Sequence, residues 1–216
     1  MATLLAGVAG WVDALGFYAL AGVFTAHLTG NLVLMGEELV HTGNGLLPKL
    51  LVFPAFFAGV VLAALLHASR KAHKRSSVRA LLLVEALAVT CLMFAGHAAG
   101  PVREGDDMGA LALLAVAFGA IAMGVQNAEG RLALRELGST AVMTTNITQL
   151  VLDMVNAWRG RGPDRARSAA RARRQSLPIA AFMLGALIAV FAWQATGFWG
   201  LLPPIVALLV LAALAE

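Results

Sequence analysis

Thr25-Ala26-His27-Leu28-Thr29-Gly30-Asn31-Leu32 returns later in the chain as Thr140-Ala141-Val142-Met143-Thr144-Thr145-Asn146-Ile147, with Thr, Ala, Thr and Asn in step at an offset of 115, counted from Thr25 to Thr140. Glu38 falls opposite Asp153 at the same offset. Upstream, Gly10-Trp11-Val12-Asp13-Ala14 parallels Gly124-Val125-Gln126-Asn127-Ala128, one residue out of register. Downstream, Phe56-Phe57-Ala58-Gly59 parallels Phe182-Met183-Leu184-Gly185. Three blocks in one order make an internal repeat, with halves at 1–100 and 108–216 inside a single membrane domain.

The sequence around these blocks is apolar. Of 216 residues, 60% are hydrophobic and 13% charged, against about a quarter charged in a soluble domain. A membrane-spanning helix needs about 20 mostly apolar residues. Six stretches qualify: Ala2–Gly22, Leu46–His67, Ala80–Ala98, Met108–Asn127, Leu177–Gln194 and Phe198–Leu214. None has the short alternating pattern of a barrel strand. The expected fold is therefore all-α, a polytopic bundle with three spans in each half.

Charge placement orients the bundle. Fourteen of the sixteen Lys and Arg lie after the second span, after the fourth span or before the fifth, Arg131 and Arg135 among them. The other links carry Glu37, Glu38, Glu104, Asp106 and Asp107, with only Lys49 and Arg103 as basic residues. Positive links stay in the cytoplasm, so both termini are expected inside. The net charge of +4 then reads as a topology signal and a contact for lipid headgroups rather than a nucleic-acid surface. Three crossings per half force the second half in from the opposite face, so the repeat is inverted. The segments from Phe24 to Val40 and Ser139 to Ala157 cannot be full crossings without placing a basic link outside. Each is expected to re-enter the membrane and return as a half-helix starting near Thr29 or Thr144. Thr and Asn oxygens suit the capping of such starts. No basic region precedes the first apolar stretch, so no cleaved signal peptide is expected.

Inverted repeats with broken helices hold polar solutes near the midplane, and half-helix N-termini favour negative charge there. Candidate solute-binding residues are Asp13, Thr25, His27, Thr29, Gly30, Asn31, Gln126, Asn127, Thr140, Thr144, Thr145 and Asn146. The Thr and Asn side chains would give neutral hydrogen bonds and Gly30 close backbone approach; the bland counterpart is that they only cap and join helices. Asp13 would bind a cation, exchange a proton or cap the adjacent re-entrant segment. His27 would sense pH or serve as a hydrogen-bonded structural residue. Glu85 is expected to snorkel or to pair with Arg79 or an arginine of another link, and Glu129 to face the cytoplasm. Cys91 is alone and reads as a packing residue. Metalloprotease, nucleophile-elbow and phosphate-loop motifs are absent from the sequence, so no enzyme, cofactor or metal is expected.

Gly10 through Phe17, Phe24 through Asn31, Ala55 through Gly59, Met123 through Ala128 and Thr140 through Asn146 together resemble the YoaK family, also called DUF1275. The resemblance spans nearly the whole chain. Thr144-Thr145 stands where the family has Thr-Gly, which removes a glycine from the second motif. The resemblance implies a multi-pass protein of the bacterial inner membrane and no particular activity. Residues and repeat together lead to one expectation, a small secondary transporter or channel for a small polar or anionic solute. The alternative is a non-transporting membrane scaffold or accessory subunit. A bundle this small leaves room for a homodimer.

Overall fold

A chain with so few polar residues must satisfy its backbone hydrogen bonds within each segment if it is to sit in lipid, and helices do this. The computed structural model describes residues 1–41, 45–103, 106–133 and 143–215, and these are predominantly helical. The helices are α1 (Ala2–Ala19), α2 (Leu28–His41), α3 (Leu46–Ala72), α4 (Val78–Ala99), α5 (Ala110–Leu132), α6 (Met143–Arg159), α7 (Gly162–Thr196) and α8 (Leu202–Leu214). A 3₁₀ turn, Gly197–Leu201, joins the last two. Among the described residues, five stretches are long and apolar enough to cross a membrane: α1, α3, α4, α5 and the run from Gly162 to Leu214. Outer faces carry apolar residues such as Phe57, Leu65, Leu87, Phe94, Leu187 and Phe191. A soluble bundle would turn polar faces outward; this is the architecture of a membrane protein.

Two differences from the expected spans stand out. The arginine-rich run before Leu177 is not a loop but the first half of α7, a helix of 35 residues. It opens with Pro163 in its first turn, where a missing N–H costs nothing. The stretch expected as the sixth span, Phe198–Leu214, is not one α-helix but the 3₁₀ turn followed by α8 of 13 residues.

Glycines set the tightest contacts. A Cβ on Gly10 of α1 would lie 2.2 Å from the Phe182 carbonyl oxygen of α7, and one on Gly185 of α7 would lie 2.3 Å from the Gly7 oxygen of α1. On the other side, a Cβ on Gly124 of α5 would lie 2.3 Å from the Phe56 oxygen of α3, and one on Gly59 of α3 would lie 2.3 Å from the Ile121 oxygen of α5. The helix pairs α1/α7 and α3/α5 thus meet backbone to backbone, the close approach that small residues permit where lipid supplies no hydrophobic drive. α4 packs against α5 and α8. The Trp11 indole N–H donates to the Gly200 carbonyl at 2.9 Å, tying α1 to the 3₁₀ turn.

Candidate functional site

The site begins where α1 stops. Ala21 and Gly22 take φ values of +49° and +77°, left-handed geometry that Gly22 adopts freely and that ends a helix abruptly. The chain then turns back along α1. The Thr25 methyl would lie 2.9 Å from a Cβ on Gly16 and 2.7 Å from one on Gly119 of α5, so Thr25 is wedged, fully buried, between two helices. Asp13 sits seven residues before Leu20, about 10 Å down the helix at 1.5 Å per residue. The returning segment reaches it. The Ala26 N–H donates to Asp13 Oδ1 at 2.6 Å and the Thr25 hydroxyl to the same oxygen at 3.3 Å. His27 Nδ1 meets Oδ2 at 2.5 Å. Asp13 therefore caps the approach to α2, the role expected of Thr and Asn oxygens, and it does so from a neighbouring helix.

Asn31 is fully buried and locks the same turn. Its Oδ1 accepts the Phe24 N–H at 2.9 Å and its Nδ2 donates to the Phe24 carbonyl at 2.7 Å. One amide side chain thus satisfies both backbone groups of one residue, leaving neither orphaned. Phe24 stacks on Phe17 at 4.4 Å and borders the His27 ring at 5.5 Å. The Phe24 ring would lie 3.1 Å from a Cβ on Gly30, so Gly30 admits an aromatic ring.

From the second half, α5 brings Gln126 and Asn127. Gln126 is buried; its Nε2 donates to the Leu5 carbonyl of α1 at 2.5 Å, while its Oε1 has no hydrogen-bond partner among the described residues. A crevice of about 10 Å³ lies among Ala9, Ala26, His27, Met123, Gln126, Asn127 and Phe182. That is room for about one water, with polar groups to hold it. His27 keeps 41% of its side chain exposed.

The remaining sequence candidates stand apart from this crevice. Thr29, Thr144 and Thr145 are exposed, and Asn146 is partly buried and engaged in contacts of its own. Thr140 lies outside the described residues, as do Arg135 and Glu104. Helix α6 begins at Met143, within a residue of the expected start, and Met143 packs with Ala6 and Ile179.

Other charged residues depart from expectation. Glu85 neither snorkels nor meets an arginine among the described residues: it is fully buried on α4, and neither oxygen has a hydrogen-bond partner among them. Glu129 does not face outward: it too is fully buried, on α5, and neither oxygen has a hydrogen-bond partner among the described residues. Lys49, expected in a link, is buried and pairs with Glu38 at 2.5 Å. Its ammonium holds the Glu38 carboxyl below the usual carboxylate range. Asp153 is fully buried, accepts from Arg171 Nε at 3.0 Å and Nη2 at 2.8 Å, and is likewise held low by that guanidinium. The Glu38/Asp153 offset was the one sequence signal of these ion pairs; nothing marked their basic partners. Larger clefts open among basic residues, about 450 Å³ by Arg159, Arg167 and Arg171 and about 380 Å³ by Lys71, Lys74 and Arg75.

A family model described as "Protein of unknown function (DUF1275)" matches residues 1–214. No curated protein and no solved structure matches the chain.

Proposed function

Starting from a chain that belongs to the DUF1275 family, we propose a small secondary transporter or channel for a small polar solute, built as a three-plus-three inverted repeat around the crevice between Asp13–His27 and Gln126–Asn127. The observation that carries the reading is the mirrored glycine contact. Adding 114 turns Gly10 into Gly124 and Gly7 into Ile121; adding 126 turns Phe56 into Phe182 and Gly59 into Gly185. These offsets map the Gly10–Phe182 contact onto Gly124–Phe56, and the Gly185–Gly7 contact onto Gly59–Ile121. The ion pairs Glu38–Lys49 and Asp153–Arg171 repeat the pattern, each tying a short helix to the long one that follows.

In this reading α8 is the counterpart of α4 and the sixth crossing. Five residues of 3₁₀ helix and 13 of α-helix give about 30 Å of rise, the thickness of the hydrocarbon core. The fold-back of 23–27 onto Asp13 is the first re-entrant segment. The basic ends face the cytoplasm of a bacterial inner membrane, with both termini there, and their clefts receive anionic headgroups.

Asp13 already occupies the donor end near α2, so an anion is disfavoured on that side. Asn127 stands at the matching position and leaves the α6 side neutral, which is where an anionic group would be received. A water-sized crevice describes an occluded state, and the solute needs the α1/α7 and α3/α5 pairs to part.

The alternative, a non-transporting scaffold, draws on Asn31 and Thr25, whose polar atoms are spent on the protein itself. A thermal-shift panel of small anions, cations and neutral polar solutes, run on wild type and Asn127→Ala, separates the two. Binding to the folded state adds about 2.7 kcal/mol at a hundredfold excess over Kd. A solute that stabilises wild type but not Asn127→Ala supports transport. A panel that moves neither supports the scaffold.

A further inference from the structure

Glu85 and Glu129 have no place in the crevice, yet they are the most costly residues in the bundle to bury. Both are 0% exposed, and none of their four carboxyl oxygens has a hydrogen-bond partner among the described residues. They lie on helices that pack together, α4 and α5. The neighbouring core of α3, α4 and α5 is apolar: Ala63, Leu81, Val125 and Ala128.

The surrounding charges lie elsewhere along these elements. On α3, His67 bonds the Ser77 hydroxyl at 2.8 Å, and Arg70 and Lys71 are in the last turn. Arg79 opens α4, and Arg131 lies in the last turn of α5. On α1, Asp13 is committed to residues 25–27. Residues 197–214, which also pack on α4, carry no charge.

We propose that Glu85 and Glu129 form an internal proton-binding site, holding at least one proton between them at neutral pH. An ionised carboxylate without partners in an apolar interior is too costly to persist, and the group takes up a proton instead. Two carboxyls buried on packed helices also oppose double ionisation. A metal cation would call for more ligands, and no group of three His, Cys, Asp or Glu is found among the described residues. The proton is the ligand that two carboxyls alone can hold.

Placement gives the site its significance. Gln126, Glu129 and Leu132 follow at three-residue steps along α5, on neighbouring turns of one helix. Gln126 lines the central crevice and its Oε1 is also unpartnered. Leu132 lines the basic cleft with His67, Lys71 and Ser77. Glu129 therefore stands on α5 between a residue that lines the crevice and one that lines the basic cleft. The site stands on the buried pair and does not require that a solute be transported.

Infrared difference spectra of the full chain in lipid vesicles, titrated from neutral to alkaline pH, test this through the carbonyl stretch of protonated carboxyls. Wild type is expected to show that band at neutral pH, shifted in D₂O and lost on alkalinisation. The double variant Glu85→Gln/Glu129→Gln is expected to lose it. Glutamine has the shape of a protonated glutamate, so the double variant is also expected to melt close to wild type at neutral pH. A band of equal size in wild type and double variant overturns the proposal. Should the double variant fail to fold, wild type alone decides: no protonated-carboxyl band at neutral pH overturns the site, and a band that titrates away supports it.

Discussion

Gly10→Ala probes the seam on which the bundle depends. The new Cβ would lie 2.2 Å from the Phe182 carbonyl oxygen, 3.0 Å from its carbon and 3.2 Å from its Cα. All three atoms are backbone, so no rotamer change relieves the clash. Moving the oxygen merely to 3.0 Å, the edge of what real Cβ atoms show, needs a shift of about 0.8 Å between α1 and α7. A gap of that order forfeits roughly a quarter to a half of each dispersion contact along the seam, and overpacking costs about 1–3 kcal/mol. Replacing a helical glycine by alanine returns up to about 1 kcal/mol. The net expectation is a loss of about 1–2 kcal/mol. Gly124→Ala, with its Cβ 2.3 Å from the Phe56 oxygen, should lose a similar amount. Gly36→Ala is the control: nothing lies within 4 Å of its Cβ, so it should be neutral or gain up to about 1 kcal/mol. Unfolding in detergent micelles followed by tryptophan fluorescence measures all three. Gly10→Ala unfolding at or beyond wild type, with Gly36→Ala behaving as expected, would falsify the backbone contact between α1 and α7.

Asn31→Leu strips the partners from Phe24 N–H and C=O. It should lose about 1–3 kcal/mol for each buried group left unpaired; wild-type stability in the same unfolding assay would show that the turn does not depend on it. The Glu38–Lys49 pair predicts a pH dependence. Lys49 depresses the Glu38 carboxyl from its ordinary 4.5, so the pair's contribution is fully present above that value and is lost as pH falls through the lower folded-state value. The stability gap between wild type and Glu38→Gln should hold from neutral pH down to the ordinary value and close below it; a gap unchanged in acid counts against the pair. For orientation, single cysteines in a Cys91→Ser background should label from outside at Glu37→Cys and from inside at Arg165→Cys, and the reverse pattern rejects the proposed topology.

The helices were legible because apolar runs long enough to span lipid have few other readings. The start of α6 at Met143 was legible for the same reason as the repeat: Thr144 and Asn146 stand in step with Thr29 and Asn31. The helical form of the run before Leu177 was not, because the arginine count there carried a strong message about sidedness and masked a sequence rich in Ala and Arg, both good helix formers. The burial of Glu85 and Glu129 was hidden for another reason. Their exposure depends on the angular placement of α4 against α5, and periodicity is weak in helices that are apolar all round. Asp13 was singled out by its cost in an apolar stretch, but its partners lie in a returning loop whose path depends on Ala21 and Gly22. Thr25 and Asn31 were found by repetition, which marks a residue as important to the architecture without saying whether its hydrogen bonds face a solute or the chain itself.

The glycine seams also constrain the order of assembly. Gly10 of α1 is made long before the surface that covers it, around Phe182 of α7. In the interval the glycine face of α1 lacks the partner it packs against. The other seam closes sooner, since α3 needs only α5. Synthesis would therefore join the middle of the chain first and bring the first helix home last. A chain cut after its first half would contain α1 and α3 without either of their partners. The two parts of the chain thus complete each other's helix packing: α1 needs α7, and α3 needs α5.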